Sequence, residues 1–398
     1  MRRHSHILLL FTALLLCLPS LRATNGDKLI GVGPYARSMG GVGIAAPCCA
    51  VTAVFANPAT LTTIAGTQFH FGASFFIPRT KARVQEPPPP AGTGDWKASS
   101  RVPPSPAPAL ALRTALGKDW SFGLAAVGIG GMGVDYRNRD PQAEKTNLMA
   151  MKFSPAVAYR LGALSLGLGL DIDFNSADLG QGEAHNYAFG AHLGGLYKFG
   201  DFALGLSYRT PQPVDHERVR DFDGDGLRDD FTLENPQEAG FGLSWRACGK
   251  LLLEADLRWI DWHGARGYEE LDWKSQWVFG LGMEYRVAPR LRLRCGYNYA
   301  RNPVRDHDGW DPSGTVSMEG PRMNRLSYEH LRVIGFPAVV EHHLTAGLGW
   351  DATEEITFNL ALVHGFRNTL EENSSGGTYR LKSAVSVTSL DFGLTWRF

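Results

Sequence analysis

The C-terminal stretch Leu390–Phe398, with the sequence LDFGLTWRF, alternates between apolar side chains and polar or small ones. Successive side chains of a β-strand point to opposite faces, so the stretch predicts a strand with one apolar and one polar face. The same period of two recurs at 164–174, 251–259 and 291–297. The chain is therefore expected to be all-β.

The length of these segments separates a membrane barrel from a soluble β-sandwich, whose strands also alternate. Strands of soluble domains are usually about 5–6 residues long, whereas strands that cross a membrane at a tilt need about 9–11. The segments here reach the greater length, and aromatic residues gather near their ends, as in interfacial girdles. The aromatic pairs are Trp259 and Trp262, Tyr297 and Tyr299, and Trp396 and Phe398. A transmembrane barrel is favoured.

The spacing of the segments predicts an antiparallel barrel of about 14 strands, over residues 67–398. Connections after the even-numbered strands have two to four residues, and most of the others are longer and polar, as in outer-membrane barrels. The connections after strands 5 and 7 look short, and the largest are 86–106 and 305–340. Expected strand starts are residues 67, 107, 121, 149, 164, 187, 202, 231, 251, 275, 291, 341, 355 and 378.

The N-terminus predicts export. A basic start is followed by the apolar run Ile7–Leu18, and residues 1–23 are interpreted as a signal peptide cut near Ala23. The run is too short for a membrane span, which needs about 20 residues. Lipidation at Cys17 is disfavoured because Leu16 stands where a small residue is expected. The mature chain is expected in the bacterial outer membrane, as a monomer among outer-membrane lipids.

Composition restricts the function classes. Lys+Arg and Asp+Glu both number 40, so there is no electrostatic argument for nucleic-acid binding. Four cysteines remain after cleavage, namely Cys48, Cys49, Cys248 and Cys295, and their spacing fits neither a zinc site nor a dense disulfide framework. A single disulfide stays possible in an oxidising periplasm, with its pairing open.

Residues 24–66 do not alternate and are rich in glycine. They are expected to form either a periplasmic tail or a plug, since a barrel of 14 strands is wide enough to leak unless something fills it. Several charged residues on predicted inward faces would provide the plug with hydrogen-bonding partners. They are Asp171, Asp173, Glu254, Asp256, Arg258, Arg292 and Arg294.

The segments RSMGGVG at 37–43 and AVFANPA at 53–59 resemble the N-terminal signature of the FadL/TodX family of outer-membrane transporters. Further similar segments follow in order along the mature chain, at 236–245, 256–262, 293–304 and 342–350. The resemblance implies a 14-stranded barrel with an N-terminal hatch whose turn is Asn57, Pro58 and Ala59. It also implies an apolar pocket and a sideways exit at a kink in the third strand, for ligands such as long-chain fatty acids or aromatic hydrocarbons. The short connections after strands 5 and 7 depart from the larger outer elements of the family.

The third predicted strand has a cluster of glycines, Gly128, Gly130, Gly131 and Gly133, and the fourth has Pro155. Glycine weakens a strand and often marks a bulge, and proline cannot donate a ladder hydrogen bond. We therefore expect a gap in the wall near these residues. The alternative is that the glycines only make room for the plug.

Three classes of function are consistent with such a barrel. Passive transport of hydrophobic small molecules is preferred, and a general diffusion porin or a structural barrel is the alternative. An enzyme is disfavoured because no serine lies in a Gly-x-Ser-x-Gly turn. Adjacent His342 and His343 would also face opposite sides of a strand. The residues of the ligand pocket cannot be named from the sequence.

Residues 221–230, DFDGDGLRDD, place Asp221, Asp223, Asp225 and Asp229 at positions 1, 3, 5 and 9 of a loop with Gly226 at position 6. This is the front half of an EF-hand-type calcium loop. Its back half lacks the usual glutamate, because Thr232 occupies that position. The loop is therefore expected to be either a weak structural calcium site or an acidic, solvated turn.

Overall fold

The computed structural model describes residues 25–47, 49–88, 94–139 and 144–398. The predicted signal peptide, with Cys17, and residue Cys48 lie outside the described residues.

Fourteen antiparallel strands close into a barrel, as predicted, and follow one another around it in chain order. Closure is made by the first and last strands, which pair from Gln68–Arg397 to Gln85–Arg380. The barrel strands are β1 (Gln68–Gln85), β3 (Ser105–Leu116), β4 (Trp120–Asp135), β5 (Lys145–Leu161), β6 (Leu164–Asp178), β7 (Glu183–Phe199), β8 (Phe202–Arg209), β11 (Glu238–Cys248), β12 (Leu251–Ile260), β13 (Gln276–Ala288), β14 (Leu291–Ala300), β17 (His342–Asp351), β18 (Ile356–Asn373) and β19 (Arg380–Arg397).

The remaining elements lie before the barrel or in its long connections. The N-terminal segment (residues 25–66) contains helices α1 (Gly33–Ser38) and α2 (Ala50–Ala56) and the 3₁₀ turn Pro58–Thr63. The long connections contain β2 (Trp96–Ser99), β9 (Gln212–Arg220), β10 (Asp229–Asn235), β15 (Thr315–Ser317), β16 (Arg322–Asn324), helix α3 (Arg325–Glu329) and the π turn His330–Gly335.

The outer surface of the barrel is apolar and its inner face is polar, as the period of two predicts. Along β18, Phe358, Leu360 and Leu362 are exposed, whereas Asn359 and Ala361 between them are buried. Near the short turns, aromatic rings form a girdle in which Phe202 stacks on Trp245 at 5.7 Å between ring centroids. None of the described helices is long and apolar enough to cross a membrane.

One predicted strand start is wrong. The eighth barrel strand begins at Glu238 and not near Phe231, because 229–235 pairs with β9 to form a separate outer hairpin. Both segments alternate, so the sequence pattern does not say which of them joins the barrel. The connection after the seventh barrel strand therefore runs from 210 to 237, and the prediction that it is short is wrong. The connection after the fifth barrel strand, 179–182, is short as predicted.

The long connections pack together over the outer mouth. Their apolar core includes the fully buried indoles of Trp262 and Trp273, whose ring centroids are 5.2 Å apart. A buried ion pair network lies beside it, in which Arg332 contacts Glu329 at 2.8 Å and Glu372 at 2.5 Å. The outer end of the barrel thus has a packed core of its own.

Cys49, Cys248 and Cys295 are free cysteines.

Candidate functional site

The N-terminal segment lies inside the barrel, because it contacts inward-facing residues around the whole circumference. Arg37 donates a hydrogen bond to Asp391 on β19 at 2.8 Å, and both side chains are buried. On the opposite wall, Thr62 and Ser165 of β6 share a hydrogen bond of 2.8 Å between their hydroxyls. These contacts join the segment to strands that are distant in the sheet, so it crosses the lumen.

Asn57, Pro58 and Ala59 make a buried turn where this segment meets the wall. The Asn57 amide donates to the carbonyls of Ile44 at 2.7 Å and Gly195 at 3.0 Å, and its oxygen accepts from the Ala59 N–H at 3.1 Å. A Cβ added at Gly194 would lie 2.0 Å from that oxygen. The wall is thus shaped to admit this turn closely.

Two neighbouring carboxylates of β12 bind the backbone of the segment. Asp256 accepts from the N–H groups of Gly43 at 2.9 Å and Ile44 at 3.2 Å. Glu254 accepts from Ala45 at 2.8 Å and Ala46 at 2.9 Å. Four successive N–H groups that no helix or strand satisfies are therefore bound by the barrel.

The other inward charges predicted as plug partners divide into two groups. Arg258 donates to the Ile30 carbonyl at 2.9 Å, and Arg294 lies over the Tyr35 ring at 4.6 Å. The rest pair within the wall: Asp171 with Arg209, Asp173 with Lys152, and Arg292 with Asp351.

Strand β4 contains a bulge at the predicted glycines. Its register with β5 shifts between Gly128 and Gly130. On its other edge, β4 pairs with β3 only as far as Val127–Ala109, although β3 continues along β1 to Ser105. Above Val127 the wall between β3 and β4 is therefore interrupted.

The N-terminal segment contacts the free edge of β4 at this interruption. Lys28 forms a bridge with Gly130, and the Gly131 N–H donates to the Asp27 carbonyl at 2.9 Å. A Cβ at Gly130 would lie 2.6 Å from that carbonyl oxygen, so this glycine is needed for the close approach. The glycines of β4 thus make room for the N-terminal segment at the same place where the wall is interrupted.

A proline-rich stretch precedes and enters β3 on the far side of the interruption. Pro103, Pro104, Pro106 and Pro108 have no N–H to donate, and proline is confined to edges and bulges of sheets. Pairing resumes higher up, where the Arg101 N–H donates to the Asp135 carbonyl at 3.0 Å.

A cavity of about 220 Å³ lies at the interruption. On β5 it is lined by inward-facing Leu148 and by outward-facing Met149, which is 42 % exposed on the lipid side. Because neighbouring strand residues face opposite sides, the cavity borders side chains from both faces of the sheet. Its remaining lining is mostly apolar or glycine and includes Leu29, Phe76, Ala107, Met132, Ala338, Val340 and Val387.

Pro155 lies apart from this cavity. It pairs with Leu124 of β4, four positions below Gly128, and the ladder between β5 and β6 lacks the pairs of Ser154 and Pro155. The stretch 103–108 and the loop residues Ala338 and Val340 also line or border this cavity, and the sequence did not predict them as site residues. The run of prolines was the sequence signal that could have identified 103–108. The position of Ala338 and Val340 depends on how their loop folds, so the sequence carried no local signal for them.

Asp27 and Lys28, beside the cavity, are buried charged residues of the N-terminal segment. Tyr268 donates a hydrogen bond to the Asp27 carboxylate, and Lys28 pairs with Glu238 of β11. Burial raises the pKa of Asp27 to about 6, a change that the Tyr268 hydrogen bond opposes. Burial also lowers the pKa of Lys28, while Glu238 acts in the opposite direction.

The acidic loop between β9 and β10 brings three of its four predicted ligands together. Oxygens of Asp221, Asp223 and Asp225 lie within 4.8 Å of one another. Asp221 also accepts from the N–H groups of Gly224 at 2.6 Å and Gly226 at 3.0 Å. Asp229 accepts from the Phe222 N–H at 2.8 Å and is outside the cluster.

His342 and His343 are separated by the strand, as expected for neighbouring residues. His342 stacks on Tyr299 at 4.6 Å between centroids and shares a hydrogen bond with the Tyr297 hydroxyl. His343 pairs with Asn298 and Gly365 on the inner face, where it is buried.

Comparisons with known proteins agree on the fold. Residues 30–205 match a family model described as outer membrane protein transport protein (OMPP1/FadL/TodX). A FadL homologue from Pseudomonas aeruginosa is similar with a TM-score of 0.69 and 15 % identity, covering 94 % of this chain and 100 % of that one. The Pseudomonas putida toluene transporter TodX is similar at 0.67 and 19 %, covering 94 % and 100 %. The Ralstonia pickettii toluene transporter TbuX is similar at 0.61 and 18 %, covering 92 % and 98 %. A search of curated proteins finds no match.

Proposed function

We propose that this chain passes hydrophobic small molecules through the wall between β3 and β4. The match of residues 30–205 to the family model that includes FadL and TodX, and the barrel fold shared with solved FadL and TodX structures, support this function. The observation that carries the proposal is the apolar cavity lined from both faces of β5. Transport of this kind needs no energy source, because an apolar ligand leaves water for the cavity and then for the bilayer.

The N-terminal segment supports a sideways route over a straight one. It crosses the lumen and is bound to the wall by Asp256, Glu254, Asn57 and Arg37. A ligand that reaches the cavity from the outer side meets this segment below it and the interruption beside it. Movement into the membrane core then requires no displacement of the segment.

The ligand class that this cavity suits is apolar and compact, such as a monoaromatic hydrocarbon or the chain of a long-chain fatty acid. Its lining offers methionine, valine, leucine, alanine and proline side chains, with few polar groups to orient a ligand. Methionine adapts to irregular apolar shapes, so Met132, Met149 and Met151 suit a site that accepts more than one ligand.

Filling the opening tests the route. Ala107 lines the cavity, and its Cβ lies 2.9 Å from a Cβ built at Gly128, so Ala107→Trp would place an indole in the interruption. We expect most uptake of labelled toluene and oleate by whole cells to be lost. Leu110→Trp is the matched control, because Leu110 lies on the lipid face of the same strand, outside the cavity. Equal uptake by the two folded variants would rule out the sideways route.

The runner-up, a general diffusion porin, makes a different prediction for the same variants. A porin passes small hydrophilic solutes through its lumen, and neither tryptophan would change that flux. The porin is favoured if the wild type and both variants take up a hydrophilic sugar equally and none of the three takes up toluene or oleate.

A further inference from the structure

Above its apolar belt, one side of the barrel has a row of exposed cations. Outward-facing side chains of β1 are apolar up to Phe75 and Ile77, and the next three outward positions are Arg79, Lys81 and Arg83. At about 3.3 Å per residue, these three cations extend over about 13 Å of strand beyond the belt. They therefore lie from the head-group level outward, on the side of the long connections.

Neighbouring strands widen this row into a patch. Arg83 pairs directly with Lys97 of β2 on one side and with Lys382 of β19 on the other. Direct partners in an antiparallel sheet share a face, so three cations lie side by side there. Like charges at directly opposite positions destabilise a sheet, and an anion bound between them would offset the repulsion.

Few anionic side chains neutralise the patch. Glu371 of β18 pairs with Arg380 and Lys382 at its edge. Arg79, Lys81, Arg83 and Lys97 are all exposed. In the part of the chain that the structure describes, none of these four side chains forms an ion pair. Arg101, next in the chain after β2, is also exposed and adds to the positive charge.

We propose that this basic patch, Arg79, Lys81, Arg83, Lys97 and Lys382, binds the phosphate groups of a multiply phosphorylated lipid head group in the outer leaflet. The apolar belt directly below the patch must be covered by lipid chains, so the head groups of those same lipids lie against the cations. Arginine and lysine are the side chains that bind phosphate oxygens through charge-assisted hydrogen bonds.

The vertical extent of the patch distinguishes between lipids. A glycerophospholipid with one phosphate reaches the lowest row, near Arg79. A glycolipid with phosphates at several heights can reach Arg79, Lys81 and the row of Arg83 together, and it would be held at more than one point. The proposal concerns lipid binding and does not depend on the transport route.

A charge-removal series tests the proposal. The variant Arg79→Gln, Lys81→Gln, Arg83→Gln keeps three polar side chains of similar length. The matched control Lys118→Gln, Lys250→Gln, Arg290→Gln removes three exposed cations from the short turns at the opposite end of the barrel. Binding of purified bisphosphorylated lipopolysaccharide to the full mature protein in detergent is measured by native mass spectrometry and by retention after washing.

We expect the control to bind like the wild type and the patch variant to lose affinity on the order of a hundredfold, at about fivefold per charge near an anionic surface. Binding to the wild type should weaken with added salt, as screened charge interactions do. Equal binding by the patch variant and the wild type would overturn the proposal.

A second measurement leaves the protein unchanged and alters the lipid. Enzymatically dephosphorylated lipopolysaccharide should bind the wild type weakly, and vesicles of phosphatidylglycerol should bind less tightly than the bisphosphorylated glycolipid. If the dephosphorylated lipid binds as well as the intact one, the phosphates are not what the patch recognises. If phosphatidylglycerol binds equally, the patch attracts any anionic lipid and the multiply phosphorylated head group is ruled out.

Discussion

At the scale of single residues, the inner wall acts on the N-terminal segment through buried polar side chains. Glu254 and Asp256 each accept two backbone N–H groups, and Asn57 joins two carbonyls of different elements. Leaving a buried backbone group without a partner costs about 1–3 kcal/mol, so each of these contacts disfavours movement of the segment.

The buried carboxyl of Asp27 should make stability depend on pH. Its pKa is raised from 3.8 to about 6 in the folded state, so folding favours the protonated form. The stabilisation is full below pH 4 and is lost as the pH rises through 6, by at most about 3 kcal/mol. Asp27→Asn keeps the acceptor for Tyr268 without the charge. Urea unfolding should show the variant gaining stability over the wild type at pH 7.5 and not at pH 4; parallel pH curves would contradict this.

The acidic loop is predicted to bind calcium weakly. Its three clustered carboxylates provide oxygens of the kind calcium prefers, and with no bidentate glutamate we expect a Kd of about 10⁻⁴–10⁻³ M. Calorimetry should show heat for the wild type and for Asp229→Asn, whose carboxylate is outside the cluster, and none for Asp223→Ala, Asp225→Ala. Matching heats for all three proteins would identify the loop as a plain acidic turn.

At the scale of elements, the bulge of β4 and the prolines before β3 end a ladder that the alternating pattern alone would continue. Alternation predicts a strand and its faces, but it does not say how far each strand pairs with its neighbour. Here β3 leaves β4 at Ala109–Val127 while it follows β1 to Ser105. The difference in these two registers leaves β3 and β4 unpaired above Val127.

Gly130 and Gly195 should respond differently to a methyl group. A Cβ at Gly130 meets the Asp27 carbonyl oxygen at 2.6 Å, whereas a Cβ at Gly195 meets only Leu206 at 4.0 Å. Because backbone must shift, Gly130→Ala should destabilise the protein by about 1–3 kcal/mol and expose residues 25–30 to protease. Gly195→Ala is the control. If Gly130→Ala has the same urea midpoint and protease pattern as the wild type, the N-terminal segment does not need this contact.

At the scale of the whole molecule, a wall of 14 strands encloses more space than its own side chains fill. The N-terminal segment occupies the lumen, and the long connections pack over the outer mouth around Trp262 and Trp273. The proposed route for a ligand is the interruption between β3 and β4.

Deletion of residues 24–66 should convert a nearly silent protein into a conducting pore in planar bilayers. The segment contacts wall strands on all sides, so its removal leaves a wide polar lumen. Heat-modified migration on gels establishes that the deleted protein still forms a barrel. The double variant Glu254→Gln, Asp256→Asn, which weakens one anchor only, should conduct in brief events. Conductance that is the same with and without the segment would show that it does not close the barrel.

What the sequence by itself determined was the number of barrel strands, their faces, the short turns and the non-alternating N-terminal segment. These follow from local properties, namely a period of two and turn residues between strands. Only the tertiary structure decided that 229–235 belongs to an outer hairpin, that Pro155 lies away from the cavity, and that Arg83 meets Lys97 and Lys382. Each of those depends on the register between segments far apart in the chain, and a period of two is the same in every even-numbered register.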